Sequence, residues 1–268
     1  FDLNDKGNPR KVAGVPPDYF SKTGQLWGNP HYIWKRMQED NFLWWRKRFE
    51  KLLEQVDITR IDHFRGFEAY WEVDASEKTA ERGKWVKAPG YELFSAVKQY
   101  LGELPIIVED LGFITPEVNK LKENFGFPGM KIFQFSFGEN TSLKSRPEDS
   151  EKHCVLYTGT HDNDTLLAWY RGLKQLKNVR VLKILEKYYG ITNGMSEEKV
   201  CWTLIEAVCK SKANFVIIPL QDILYLDNEA RMNYPGTVSG NWLWRYKKGN
   251  ITKKMEKKLA ILTRKYER

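Results

Sequence analysis

Leu104-Pro105-Ile106-Ile107-Val108-Glu109-Asp110-Leu111-Gly112, followed by Thr115-Pro116-Glu117, is the stretch that decides the fold class of this chain. Residues 104–108 form a short, continuous apolar run, the pattern of a strand covered on both faces. Two carboxylates and a glycine close the run. Thr115 and Pro116 then open a helix, an N-cap followed by proline at the first helical position. A strand that ends in acidic residues and feeds a helix is the repeating unit of a parallel α/β sheet.

Working outward, the same unit recurs. Residues 58–64, 130–137, 153–158 and 214–220 read as four more strands. Helical patterns lie between them: residues 91–101 with Leu93, Val97 and Leu101 on one face, a helix starting near Thr165, and one capped by Ser196-Glu197-Glu198 that runs to about Lys210. Upstream, residues 31–55 predict one helix with Trp45, Phe49, Leu52, Leu53 and Val56 on its buried side. Residues 1–30 hold three breaker clusters (Gly7-Asn8-Pro9, Val15-Pro16-Pro17-Asp18, Gly28-Asn29-Pro30) and predict an irregular, functional loop region without strand or helix. Alternating strands and helices argue for a parallel sheet covered by helices.

Composition narrows the function classes. The 268 residues are enough for a sizeable core, and 41% hydrophobic with 29% charged residues excludes wholesale disorder. No apolar run approaches the ~20 residues of a membrane helix, so no membrane partner is expected. Three cysteines, without metal-ligand spacing, predict reduced thiols and a cytoplasmic home. The net charge of +8 raises the question of nucleic acid. Much of it lies in residues 247–268, where Met255, Leu259, Leu262 and Tyr266 form an apolar helical stripe and the lysines its solvated face. No glycine pattern suits a dinucleotide or a phosphate loop. Aromatic residues are harder to dismiss: 10 Trp, 13 Tyr and 14 Phe, many in polar stretches such as residues 16–30 and 240–246. Exposed rings beside polar groups suit flat ligands, sugars or bases.

The chemistry concentrates at the carboxyl ends of the strands. One ends Arg60-Ile61-Asp62-His63-Phe64-Arg65-Gly66, another Glu109-Asp110, a third Thr160-His161-Asp162-Asn163-Asp164-Thr165. In a parallel α/β barrel such ends converge on one mouth. Carboxylates gathered there repel unless the site uses their charge, to bind a metal or to stabilise a cationic transition state such as an oxocarbenium-like sugar carbon. Singly, each has an ordinary alternative: Asp62 as a partner of Arg60 or Arg65, Glu109 as a turn cap, Asp164 as a helix cap.

With these motifs in order, the chain resembles the 4-α-glucanotransferases known as amylomaltase or disproportionating enzyme, glycoside hydrolase family seventy-seven of the α-amylase clan. The likeness runs from Val12-Ala13-Gly14-Val15-Pro16-Pro17-Asp18-Tyr19-Phe20 to Glu229-Ala230-Arg231-Met232-Asn233-Tyr234-Pro235-Gly236-Thr237. It implies the C-terminal portion of a (β/α)8 TIM barrel with about five barrel strands, residues 1–268 forming a partial catalytic domain whose first strands and inserted subdomain are absent. The chain then looks cropped at Phe1, and the piece alone is expected to be inactive or poorly folded.

The resemblance further implies roles. Asp62 is the nucleophile, Glu109 the acid/base, and Asp162 holds the hydroxyls of the flattening sugar ring. Arg60 orients Asp62, while His63 and His161 bond sugar hydroxyls. In residues 14–28, a lid over the acceptor, Asp18 and Phe20 touch glucan and Trp27 stacks on an acceptor ring. The segment from Gln221-Asp222 to Asn233 is read as structural support. Neither a metal nor an organic cofactor is required, and the partners are α-1,4-glucans, malto-oligosaccharides and the N-terminal remainder of the same enzyme. The rival readings are an α-1,4-glucan hydrolase of the same clan, a non-catalytic glucan-binding module and a nucleic-acid binder; the acidic strand ends oppose the last.

Overall fold

The computed structural model describes residues 1–17, 21–137, 146, 150–237 and 239–268. They divide into two compact units, residues 1–129 and 130–268.

In the first unit the order is β1 (Lys11–Val15), β2 (Gln25–Pro30), α1 (Trp34–Glu39), α2 (Leu43–Leu53), β3 (Thr59–Ile61), β4 (Ala69–Asp74), β5 (Gly83–Lys87), α3 (Gly90–Leu101), β6 (Ile106–Val108) and α4 (Pro116–Asn124). The strands at 59–61 and 106–108 stand within the predicted strands 58–64 and 104–108, only shorter. They pair in parallel, Thr59 with Ile106, Arg60 with Ile107 and Ile61 with Val108. Beneath them Phe64, Leu93, Phe94, Val97, Ile106 and Val108 form a fully covered core together with Val118 and Phe127. The Val97 and Leu93 face of α3 is the one its periodicity predicts.

Two expectations for this unit fail. Residues 1–30 are not strandless: β1 and β2 pair antiparallel and join β4 and β5 in a sheet of order β2-β1-β4-β5. Glycine and proline disguised β1. A Cβ at Gly14 would lie 2.5 Å from the Gln25 carbonyl oxygen, so the glycine is what lets the two strands approach. The sheet needs little apolar sequence because its core is small: Val12, Val73 and Ala80, flanked by Leu26 and Trp71. Nor is 31–55 one helix. The chain breaks between α1 and α2 at Asn41 and Phe42, both left-handed (φ 53° and 56°). Phe42, Trp45 and Phe49 enter the core, whereas Leu52 and Val56 are exposed.

The second unit runs from β7 (Gly129–Ile132) through β8 (Cys154–Tyr157), α5 (Leu166–Gln175), α6 (Val179–Tyr189), α7 (Glu197–Cys209), β9 (Phe215–Ile217) and α8 (Leu220–Ile223) to α9 (Lys253–Lys265). Its sheet has the order β7-β8-β9, with β8 and β9 parallel. The expected strand over 130–137 stops early and becomes a 3-10 turn, Phe133–Phe137. Helix α5 starts as its sequence predicts: the Thr165 hydroxyl accepts from the Ala168 N–H at 3.2 Å. The lysine-rich tail is the amphipathic helix α9, with Leu262 buried and Met255, Leu259 and Tyr266 against the core of this unit. Its lysines pair outward with Glu198 and Glu206. Among the described residues no helix is long and apolar enough to cross a membrane.

Candidate active site

In the first unit the register of β3 and β6 builds the site. Ile61 faces Val108 across the ladder, so the next residue of each strand, Asp62 and Glu109, leaves the sheet at the same step and the same end. Neighbouring strands lie about 4.8 Å apart, which sets the two carboxylates side by side. The backbone crosses between them: the Glu109 N–H donates to the Ile61 carbonyl at 2.8 Å, and the Phe64 N–H to the Glu109 carbonyl at 3.1 Å.

The two carboxylates then meet opposite environments. The Asp62 side chain is 73% exposed and ion-paired with the Arg60 guanidinium, which comes from two residues earlier. Glu109 is largely buried. Its Oε2 accepts from the His63 N–H and its Oε1 from the Leu111 N–H, each at 2.9 Å. Burial lifts its carboxyl above the ordinary glutamate range; the Leu111 amide opposes that, the Asp62 charge reinforces it, and the His63 amide and Arg60 oppose it. One carboxylate is thus kept open beside a cation, and its neighbour is biased toward holding a proton. That is the division of labour a retaining glycoside site needs.

His63 pays for this arrangement in backbone strain. Its φ is 47°, a left-handed conformation that side chains other than glycine rarely adopt. The turn aims its N–H at Glu109. The residue is half-buried, and desolvation lowers its pKa to about 4, so the imidazole is neutral at pH 7 and suits hydrogen bonding to a hydroxyl. Trp27, on β2, meets the His63 ring edge-on at 4.8 Å and is part-exposed. The structure therefore brings Asp62, Glu109, Arg60, His63 and Trp27 together. Asp18 and Phe20 lie outside the described residues.

Asp162 belongs to the second unit, in the loop after β8, and has its own set of partners. Asn233 Nδ2 donates to Asp162 Oδ1 at 2.6 Å, and His161 Nε2 lies 3.4 Å from Oδ2. Arg231 grips the same loop: Nη2 donates to the Asp162 carbonyl and Nη1 to Asp164 Oδ1, both at 2.5 Å. Asn228 Nδ2 adds a bond to Asp164 at 2.8 Å. Below them Asp222 is buried, accepting from the Leu166 N–H at 2.7 Å and from the Thr158 hydroxyl at 2.5 Å. Burial raises its carboxyl to about 6. A cavity of about 110 Å³ lies among Gly159, Thr160, Asp164, Asp222, Arg231 and Met232.

The sequence predicts a supporting role for the segment 221–233, and within it Arg231 and Asn233 bond the Asp162 loop itself. The segment carries one arginine and two asparagines among its polar residues. Only contact across about seventy residues shows what they grip. Among the described residues no three His, Cys, Asp or Glu side chains are grouped to hold a metal.

A family model described as 4-alpha-glucanotransferase matches residues 1–252. The chain belongs to the 4-alpha-glucanotransferase family. It is 48% identical over 270 residues to the 4-alpha-glucanotransferase of Thermus thermophilus, covering all of this chain and 54% of that protein. It is 49% identical over 262 residues to the enzyme of that name from Clostridium butyricum, covering 97% of this chain and 52% of the relative. Among solved structures, the amylomaltase from Streptococcus agalactiae in complex with acarbose superposes with a TM-score of 0.92 at 37% identity, over all of this chain and 53% of that one. The chain thus spans about half the length of the relatives it matches. Members of the 4-alpha-glucanotransferase family match it along its whole length, through both units described above.

Proposed function

We propose that the chain is the C-terminal part of a retaining α-1,4-glucan transferase, and that its five predicted strands (β3, β6, β7, β8, β9) are barrel strands of the whole enzyme. The observation that carries the chemistry is the side-by-side exit of an ion-paired Asp62 and a buried, proton-biased Glu109 from parallel strands. Asp62 attacks the anomeric carbon of a donor glucan as Glu109 gives its proton to the leaving glycosidic oxygen. The bond to the leaving chain breaks and a covalent β-glucosyl ester forms. Glu109, now ionised, takes the proton of an incoming 4-hydroxyl, which displaces Asp62 and restores an α-1,4 link. Asp162, aimed by Asn233, holds donor hydroxyls with His161; His63 bonds a hydroxyl, and Trp27 offers its ring to the acceptor. No step requires a metal or organic cofactor.

The exposed faces of β9 support the larger barrel. Phe215 is 47% and Ile217 42% exposed on a wholly apolar strand, a surface that calls for covering. The twofold length of the relatives supports an N-terminal remainder to cover it. The buried thiols of Cys154, Cys201 and Cys209, which form no disulfide among the described residues, support a reducing, cytoplasmic setting.

Feeding maltotriose to the full-length enzyme tests the reading. Transfer yields glucose together with oligomers longer than the substrate, all new links α by proton NMR. A product mixture of only glucose and maltose would instead favour the hydrolase. The 268-residue chain by itself is expected to give no turnover.

A further inference from the structure

The segment 240–246 is rich in aromatics, and the mechanism above leaves it without a part. Trp242 is its centre. The ring lies 5.1 Å from that of His161, tilted by 40°, and the residue is 51% exposed. His161 is in turn 3.4 Å from the Asp162 carboxylate. We propose that Trp242 is a stacking platform for a glucose unit of the glucan, adjoining the unit held by Asp162 and His161.

The backbone that carries the ring is pinned on both of its polar groups. The Trp242 N–H donates to the Met232 carbonyl at 2.6 Å, one residue from the Asn233 that holds Asp162. Asn241 braces the turn, accepting from the Tyr234 N–H at 2.9 Å and donating to the Thr237 hydroxyl at 2.9 Å. Arg245 Nη1 donates to the Trp242 carbonyl at 2.8 Å. These bonds hold Trp242 at φ 64°, a left-handed conformation that residues with a side chain rarely adopt. Structures keep such strain where it positions a side chain for use.

The chemistry favours a sugar as the occupant. An indole presents a broad apolar face with negative charge density, and the C–H face of a glucose ring presents the matching positive edges. Polar groups beside the ring, His161 and Asp162, suit the hydroxyls around the same sugar. A protein segment laid over Trp242 would also cover the His161 ring, which the proposed reaction needs open to substrate.

This inference rests on the glucan reading of Asp162. Its test uses the full-length enzyme, with maltoheptaose as the probe. Trp242→Ala should raise KM roughly tenfold, with the effect falling on KM more than on kcat, and calorimetric Kd should move in parallel. Trp242→Tyr, which keeps an aromatic face, should recover most of the loss. Unchanged KM and Kd in Trp242→Ala would overturn the platform. So would a drop in melting temperature that tracks the lost activity without rescue by tyrosine, because that outcome makes the ring a packing residue. The wild-type control separates the two proposals: absence of transfer there sinks the glucanotransferase reading, while transfer with an indifferent Trp242 sinks only this one.

Discussion

Asp62 with Glu109, and Asp162 with Asp164, are two acidic pairs at the carboxyl ends of strands, yet they are built by different means. The first is a matter of register. Ile61 and Val108 are ladder partners, so the adjacent residues emerge together, and the groups that tune them (Arg60, the His63 and Leu111 amides) lie within two residues of one or the other. The second is clamped from afar. Asp162 and Asp164 are held by Asn228, Arg231 and Asn233, and Asp222 bonds back to Thr158 and the start of α5. A register-built cluster is specified by a few local residues. A clamped one depends on a distant segment keeping its place, and should respond to changes there.

The largest effects should come from the first cluster. In the full-length enzyme Asp62→Ala is expected to lower kcat roughly 10⁴-fold or more on any donor. Glu109→Gln should lose about 10³-fold on maltotriose, within the usual range for a general acid. A glycosyl fluoride donor, whose leaving group needs no proton, should restore glycosylation in Glu109→Gln but not in Asp62→Ala. Equal rescue of both would break the assignment of distinct roles. The raised pKa of Glu109 also places the alkaline limb of wild-type kcat/KM above the 4.5 of an ordinary glutamate.

The clamp comes next. Arg231→Lys keeps the charge but loses the fork that reaches both the Asp162 carbonyl and Asp164. It should lower kcat by roughly 10- to 100-fold through misplacement of Asp162, with KM less affected. Wild-type kinetics in this variant would show that the loop holds itself.

Asp222 gives a smaller effect with a defined sign. Its folded pKa of about 6 lies above the ordinary 3.8, so the native state binds more protons between those values. Its contribution to stability is therefore greatest below pH 4 and is lost as pH rises through 6. Asp222→Asn removes that dependence. Urea unfolding should show the variant gaining on wild type from pH 4 to pH 8, by an amount on the order of 2 to 3 kcal/mol. A gap that stays constant with pH would remove the buried-carboxyl account. Smallest is Thr165→Ala, which deletes the α5 cap beside the same aspartate; about 1 kcal/mol of unfolding free energy should go, with little effect on KM.

Much of this was legible beforehand, for reasons that differ by element. The strands at 106–108 and 154–157 announce themselves because a doubly covered strand must be apolar throughout; that at 215–217 is as apolar, with Phe215 and Ile217 exposed, while Thr59-Arg60-Ile61 is read only from its place before the acidic strand end. The start at Thr165 is visible because capping is local chemistry; Ser196 also precedes its helix, but its side chain makes no capping bond there. β1 and β2 are hidden from such a reading: a sheet that buries only Val12, Val73 and Ala80 leaves almost no hydrophobic period, and the breaker clusters at 15–18 and 28–30 flank or enter its strands. The kink at Asn41 and Phe42 escaped because the apolar spacing continues across it.

What the sequence determined on its own is the identity and the order of the acidic strand ends, since each is a short contiguous motif whose meaning depends on its immediate neighbours. What only the tertiary structure decided is the environment of each carboxylate: Asp62 open to solvent, Glu109 buried under two amides, Asp162 gripped by Asn233 and its loop by Arg231, and Trp242 set beside His161. Burial and long-range hydrogen bonds arise from residues that are distant in the chain, and desolvation is what separates a proton-holding carboxyl from an ionised one. No linear pattern encodes that difference; the packed chain creates it.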